Sequence, residues 1–271
     1  MLGQDVAALL ETQGHTTEKS DIDDLNLNDS AAVLQRLEVS RPQVIINCAA
    51  YTQVDNCETD IHNAYRGNAL IPANLAAAAD KINALLVHIS TDYVFDGESL
   101  VPYSETDNPN PSTVYGKSKR LGEMNVMALT NRFIILRVQW LYGKNGKNFV
   151  KTMLSLAKTQ PALKVVNDQF GAPTYTRDLA TAIGELINSG LYGLFHVSNG
   201  GFCSWHQFAV DILETAGITV PINPCSTEDF PRPAKRPKFS VLDNTYFHAC
   251  GFTPLRHYKE ALRDYLKEEL S

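Results

Sequence analysis

The chain has 271 residues, 44% hydrophobic and 20% charged, enough for a sizeable core in one large domain or two unequal ones. Its formal net charge of -6 argues against a nucleic-acid-binding surface, and no apolar run approaches the ~18 residues of a membrane span. No positively charged region precedes an apolar stretch, so no signal peptide is expected.

The apolar pattern from residue 5 to 13 predicts a first helix, closed by Gly14 and followed by a short, poor strand at 15–19. A polar loop over 21–29 leads to a helix at 30–38. Pro42 precedes an apolar strand, Val44-Ile45-Ile46-Asn47, and residues 68–81, with four consecutive alanines, predict a helix able to pack tightly on a sheet. Ala84-Leu85-Leu86-Val87-His88-Ile89 has the apolar character of a buried parallel strand, with polar Ser90-Thr91-Asp92 at its end. Strand and helix patterns alternate through the strand at 132–137, which predicts an α/β fold with a parallel sheet covered by helices.

After Tyr142 the composition changes. A helix is expected at 148–158, short extended pieces at 161–177 punctuated by Pro161, Gly171 and Pro173, and helices at 177–189, 204–216 and 258–269. Residues 1–142 are therefore assigned to a first domain, and 143–271 mainly to a smaller lobe interleaved with it. Five cysteines, Cys48, Cys57, Cys203, Cys225 and Cys250, form an odd set with no C-x-x-C and no zinc-ligand spacing. They fit reduced cytoplasmic thiols, no metal is expected, and Cys48 is read as a small buried hydrophobe.

The chemistry concentrates in Tyr115-Gly116-Lys117-Ser118-Lys119. On a helix the spacing of four puts Tyr115 and Lys119 on one face, about 5–6 Å apart at Cβ. A nearby ammonium favours the phenolate, so such a tyrosine can protonate a carbonyl oxygen as hydride reaches its carbon. Thr91 stands where a parallel strand ends, the edge at which open α/β sheets bind ligands. Either feature alone is a chance spacing or an ordinary strand cap; together they point to carbonyl reduction.

Several blocks carry a resemblance. Ser90-Thr91-Asp92-Tyr93-Val94-Phe95-Asp96-Gly97, the Tyr115–Lys119 run and Leu136-Arg137-Val138-Gln139-Trp140-Leu141-Tyr142-Gly143 resemble extended short-chain dehydrogenases. Asn47-Cys48-Ala49-Ala50-Tyr51-Thr52-Gln53-Val54-Asp55, Asp168-Gln169-Phe170-Gly171-Ala172-Pro173-Thr174 and Arg236-Pro237-Lys238-Phe239-Ser240-Val241-Leu242 narrow the likeness to the dTDP-4-dehydrorhamnose reductase family.

The resemblance implies a Rossmann-like doubly wound parallel sheet with a smaller C-terminal substrate-binding lobe. It implies reduction of the 4-keto group of a dTDP-linked 6-deoxyhexulose to dTDP-L-rhamnose, with NADPH or NADH as cofactor. Tyr115 is then the proton donor, Lys119 lowers its pKa and holds the nicotinamide ribose, and Thr91 orients the carbonyl oxygen. Ala49, Ala50, Tyr51 and Thr52 border the cofactor, with Met1 and Leu2 on its pyrophosphate side and Asn26 and Leu27 on its adenine side. Asp92 binds the substrate or shapes the turn; Trp140 is an aromatic wall for the sugar or part of the core. Arg236, in the basic stretch 232–238, is expected near the substrate diphosphate. Glu18 and Lys19 offer both an acidic and a basic residue after the second strand position, so the choice between NADH and NADPH stays open. A homodimer is a further expectation, and neither a nucleic acid nor a membrane is an expected partner.

The chain departs from this family at its start. The family opens with a strand and a glycine-rich turn, whereas Met1-Leu2-Gly3-Gln4-Asp5 retains what resembles the last of those glycines. The cofactor domain is expected to be N-terminally incomplete, and a start assigned inside the motif accounts for this better than a real truncation. Two other readings share the fold. A nucleotide-sugar epimerase would keep Tyr115 and Lys119 but regenerate bound NAD. A non-catalytic subunit like the regulatory subunit of methionine adenosyltransferase would not need Thr91, Tyr115, Lys119 and Trp140 together.

Overall fold

A computed structural model describes residues 1–270. Helix α1 (Leu2–Thr12) comes first, then α2 (Ser30–Ser40), whose leading amides of Ala31 and Ala32 donate to the Asp29 carboxylate. Strand β1 (Val44–Asn47) is followed by the short helices α3 (Val54–Cys57) and α4 (Ile61–Tyr65). A π-helical turn, Arg66–Leu70, joins α4 to α5 (Ile71–Ile82). Strand β2 (Leu85–Thr91) ends in a 3₁₀ turn, Asp92–Val94, and α6 (Val114–Leu129) leads to β3 (Phe133–Val138). Then come β4 (Leu141–Tyr142), α7 (Phe149–Ala157), β5 (Leu163–Val166), β6 (Phe170–Gly171) and β7 (Thr174–Tyr175). Helix α8 (Thr176–Ile187), β8 (Gly193–His196), β9 (Cys203–Ser204) and α9 (Trp205–Thr215) follow. The described chain finishes with β10 (Ile222–Cys225), α10 (Thr245–Ala249) and α11 (Tyr258–Leu270).

Four strands pair in parallel in the order β1-β2-β3-β8, which places Thr91 opposite Val138 at one edge. Successive strands are parallel because a helix carries the chain back between them. Strand β2 is apolar along most of its length because both faces of the sheet are covered. Its Leu85 and Val87 face one side, where Leu2, Val6 and Leu10 of α1 meet Leu179 and Ile183 of α8. Leu86 faces the other side, with Val33 of α2, Leu75, Ala76 and Ala79 of α5 and Val126 of α6. Helices on both faces make this the doubly wound arrangement, and the small alanines bring α5 close.

A separate apolar cluster, including Tyr142, Met153, Leu163, Phe208, Leu262 and Tyr265, organises the later residues. The small pairs β4–β7, β5–β10 and β6–β9 lie in this part, while α8 and β8 return to the main sheet. No helix among the described residues is long and apolar enough to cross a membrane.

Three expectations change. Residues 15–19 form no strand. Among the described residues β1 is paired on the β2 side alone, so a segment at 15–19 finds no ladder for its backbone groups. The helix expected from residue 68 opens with the π turn and becomes α-helical at Ile71. Cys48 is exposed as a residue because it sits just past the end of β1, while its thiol lies close to Gly3 of α1 and burial pushes that thiol up to about 11.

Candidate active site

Strand β2 and helix α6 bring the three principal side chains together. Thr91 is the last residue of β2, and its hydroxyl oxygen accepts from the Tyr93 amide at 3.2 Å and hydrogen-bonds Asp92 Oδ1 at 2.9 Å. Helix α6 starts where the Thr113 hydroxyl accepts from the Gly116 amide and Glu58 accepts from the Val114 amide, at 3.0 and 2.9 Å. One turn of that helix separates Tyr115 from Lys119, and both are buried, at 9% and 2% exposure. The Thr91 hydroxyl is within hydrogen-bonding reach of the Tyr115 phenol. Gly116 permits this approach: a Cβ there would lie 2.1 Å from the Tyr93 carbonyl oxygen.

Lys119 Nζ donates to the Ile89 carbonyl at 2.5 Å, on the strand that carries Thr91. Burial draws Lys119 down to about 8, with Glu123 opposing. The expectation that Lys119 lowers the Tyr115 pKa needs correction. Burial instead pushes the phenol well above its ordinary value, and the opposing effect is the hydrogen bond with Thr91. The ammonium is engaged with Ile89, and desolvation of the phenolate dominates. Tyr115 is therefore firmly protonated, the state a proton donor requires.

The other residues of the proposed site lie along the same edge of the sheet. Ala49, Ala50, Tyr51 and Thr52 follow β1 directly; Ala49 and Thr52 are exposed, so Ala49 lines the surface and is not core packing. Helix α2 packs on α5, and the loop before it, with Asn26 and Leu27, meets the first turn of α5. The Leu27 carbonyl accepts from Asn74 in the first turns of α5, and its side chain joins the apolar cluster beneath. Met1 and Leu2 open α1, whose N-terminus carries no side-chain cap and so keeps backbone donors for an anion. Leu2 itself is buried, leaving its backbone for that role.

Trp140, two residues past the end of β3, has a left-handed backbone at φ 45, uncommon for a bulky side chain. Its indole stacks on Trp205 at 3.4 Å with the planes 8° apart, and a Cβ on Gly171 would come within 2.4 Å of it. One face is thus spent on Trp205, and what Trp140 offers a sugar is the rest of its surface. Arg236 pairs with Asp55 at 2.8 Å and donates to the Ala234 carbonyl. It stands near Tyr93, whose ring meets Tyr115 edge-on at 5.4 Å. Asp92 is 3% exposed, and burial raises its carboxyl to about 6.

Two functional side chains escaped the sequence reading. Asn68, in the π turn, accepts from the Tyr51 amide at 2.8 Å and donates to the Tyr51 carbonyl at 3.1 Å and the Ser118 hydroxyl at 3.0 Å. It ties the segment after β1 to the helix of Tyr115, at the kind of helix irregularity often found near sites. A lone asparagine in an alanine-rich run gives no signal of this. Glu123 is the other; it stands one turn beyond Lys119, a spacing that could have flagged it.

A nicotinamide dinucleotide fits this edge: uncapped amides of α1 for a pyrophosphate, the exposed small residues after β1 for a flat ring, and Lys119 for a ribose. Bound there, a reduced nicotinamide would supply a hydride; Tyr115 would supply the proton and Thr91 a hydrogen bond to the oxygen receiving it.

Comparison with known proteins agrees. The Bacillus subtilis spore coat polysaccharide biosynthesis protein SpsK is 44% identical over 247 residues, covering 91% of this chain and 87% of that protein. A crystal structure of a dTDP-4-dehydrorhamnose reductase from Clostridium acetobutylicum superposes with TM-score 0.98 at 46% identity, over 100% of this chain and 96% of that one. The Bacillus anthracis dTDP-4-dehydrorhamnose reductase, solved in complex with NADP, gives TM-score 0.96 at 42% identity, over 98% and 95%. The model of the RmlD substrate binding domain matches residues 1–271, and the chain belongs to that family.

Proposed function

We propose that this protein reduces the 4-keto group of a dTDP-linked 6-deoxyhexulose with NADPH or NADH, giving dTDP-L-rhamnose. The observation that carries the reading is the convergence of Thr91, Tyr115 and Lys119 at the carboxyl edge of the sheet. The protonated Tyr115 donates to the ketone oxygen while Thr91 holds that oxygen in place. Lys119 leaves the Ile89 carbonyl to engage the nicotinamide ribose. Trp140 faces the sugar, Asp92 shapes the turn behind Thr91, and Arg236 shares its guanidinium between Asp55 and the substrate diphosphate. Residues 1–142 hold mainly the cofactor and later residues mainly the sugar.

The same reading includes a cytoplasmic homodimer. All five cysteines are free thiols, and exposed Ile61, Leu70, Leu121 and Met124 give the α4–α6 face apolar character suited to a second copy. The test is to follow NADPH absorbance with dTDP-4-dehydrorhamnose and identify the product by proton NMR. One NADPH consumed per sugar reduced is expected. Sugar conversion without net NADPH consumption would show epimerisation instead.

A further inference from the structure

Asp92 lies against the catalytic hydroxyl with one oxygen bonded and the other enclosed. Oδ1 is 2.9 Å from Thr91 Oγ1, whereas Oδ2 is buried and makes no well-formed hydrogen bond, with the Ser240 hydroxyl nearby. An ionised carboxylate pays heavily for an enclosed oxygen that lacks a well-formed hydrogen bond. A neutral carboxyl pays less, and its hydroxyl can donate to Thr91 across the same 2.9 Å.

The direction of that bond decides what Thr91 can do. A threonine hydroxyl has one hydrogen and two acceptor positions. One acceptor position is used by the Tyr93 amide. If Asp92 is ionised, the single hydrogen goes to Oδ1 and none is left for a substrate. If Asp92 is protonated, it fills the second acceptor position, and the hydrogen is free to point at the oxygen beside Tyr115.

We propose that Asp92 is a positioning residue that, when protonated, turns the Thr91 hydrogen toward the substrate ketone and, when ionised, turns it away. The inference rests on the keto-reductase reading above. Asp92 keeps its own proton through the reaction; the proton added to the sugar oxygen comes from Tyr115. A donor aimed at an oxygen gaining negative charge stabilises the transition state more than the ground state.

The surroundings make the switch accessible near neutral pH. Burial raises Asp92 to about 6 against the Ser240 and Thr91 hydroxyls. Tyr115 of α6 and Tyr93 of its own turn are the titratable groups facing it, and Arg236 is the charged group beside Tyr93. Lys119 is held further down β2 at Ile89.

The test combines pH profiles of kcat from pH 5 to 8.5 with a carbon-13 titration of aspartate Cγ in the substrate-free protein. Profiles are taken for the parent, Asp92→Asn, Thr91→Val and the double variant. In the parent kcat should fall about tenfold as pH rises past about 6. Asp92→Asn should abolish that limb, because the amide donates to Thr91 at every pH. In the Thr91→Val background, Asp92→Asn should change kcat by less than about twofold. A limb that survives Asp92→Asn, or effects that multiply independently, would overturn the proposal.

The carbon signal needs no turnover. It should show one carboxyl titrating near 6, absent in Asp92→Asn and shifted upward by roughly one unit in Thr91→Val, which lacks the donor. Titration of Asp92 near 4, or no response to Thr91→Val, would also overturn it. A parent protein that reduces no keto sugar would defeat the proposed function, and the carbon titration would still decide the role of Asp92.

Discussion

Glu123 and Arg137 tie the catalytic helix to the sheet through two hydrogen bonds of 2.8 Å, Nε to Oε1 and Nη2 to Oε2. The same carboxylate accepts from the Ser90 hydroxyl at 2.6 Å and from Arg120 at 2.8 Å. Ser90 lies opposite Arg137 in the strand register and next to Thr91, so this fork fixes α6 against the end of β2. Both members of the pair are buried. Removing one leaves the other charged and unpaired, which costs about 3–5 kcal/mol. Glu123→Ala is therefore expected to lose that much stability in urea unfolding. The Arg137 contact to His196 at 3.3 Å and its approach to the Phe95 ring do not replace the anion. A loss below about 1 kcal/mol would mean the pair does not anchor the helix.

Tyr115→Phe removes one hydroxyl from a buried position and leaves the ring contact with Tyr93 in place. The fold and cofactor affinity should persist while kcat falls on the order of 10²-fold or more. Turnover within a few-fold of the parent protein would assign the proton to another donor.

Lys119→Ala and Lys117→Ala test the register of α6. Lys119 is buried against Ile89, whereas Lys117 is exposed. The first change should lower turnover and weaken NADPH binding; the second should leave stability within about 0.5 kcal/mol, as surface substitutions do. Isothermal titration with NADPH on both variants gives the comparison, and a sensitive Lys117 with a tolerant Lys119 would contradict the helix face described here.

Gly116→Ala adds one methyl where there is no room. Its Cβ would sit 2.1 Å from the Tyr93 carbonyl and 3.0 Å from Pro111. The obstruction is backbone, so α6 must move away from the Thr91 turn. A destabilisation of about 1–3 kcal/mol is expected, with a larger fractional loss in kcat than Lys117→Ala. Unchanged thermal unfolding would show that the helix and the turn are less closely held than their geometry indicates.

Much of this was legible in the chain because it depends on local spacing. Val44 to Asn47 and Leu85 to Thr91 read as strands from their apolar runs, and the Tyr115–Lys119 interval fixes one helix face. What escaped depends on packing between distant segments. The role of Asn68 arises because a π turn meets α6 where Gly122 admits its carbonyl. The segment at 15–19 has strand-like residues but no neighbouring strand to pair with. The phenol of Tyr115 is governed by burial, which no spacing of four to a lysine reveals. Trp140 could be placed near the site, but its left-handed backbone and its stacking on Trp205 belong to the folded lobe.

The pH response of Lys119 follows from its burial. In the folded protein it titrates near about 8, against 10.5 when unperturbed. The ammonium proposed to hold the nicotinamide ribose is therefore lost as pH rises through about 8, before an exposed lysine would lose its proton. NADPH affinity should weaken across that range and approach the affinity of Lys119→Met, which carries no charge at any pH. Stability moves in the opposite direction. Between about 8 and 10.5 the unfolded chain keeps a proton that the folded chain has released, so lysine burial opposes folding less as pH rises. Below about 8 the full penalty is present, and above 10.5 none remains. Subtracting the Lys119→Met unfolding curves from those of the parent isolates this contribution from other groups. The difference should favour the parent increasingly between pH 8 and 10.5, while parent NADPH affinity declines over the lower part of the same interval. A flat stability difference together with NADPH affinity unchanged to pH 9.5 would show that Lys119 keeps an ordinary ammonium despite its burial.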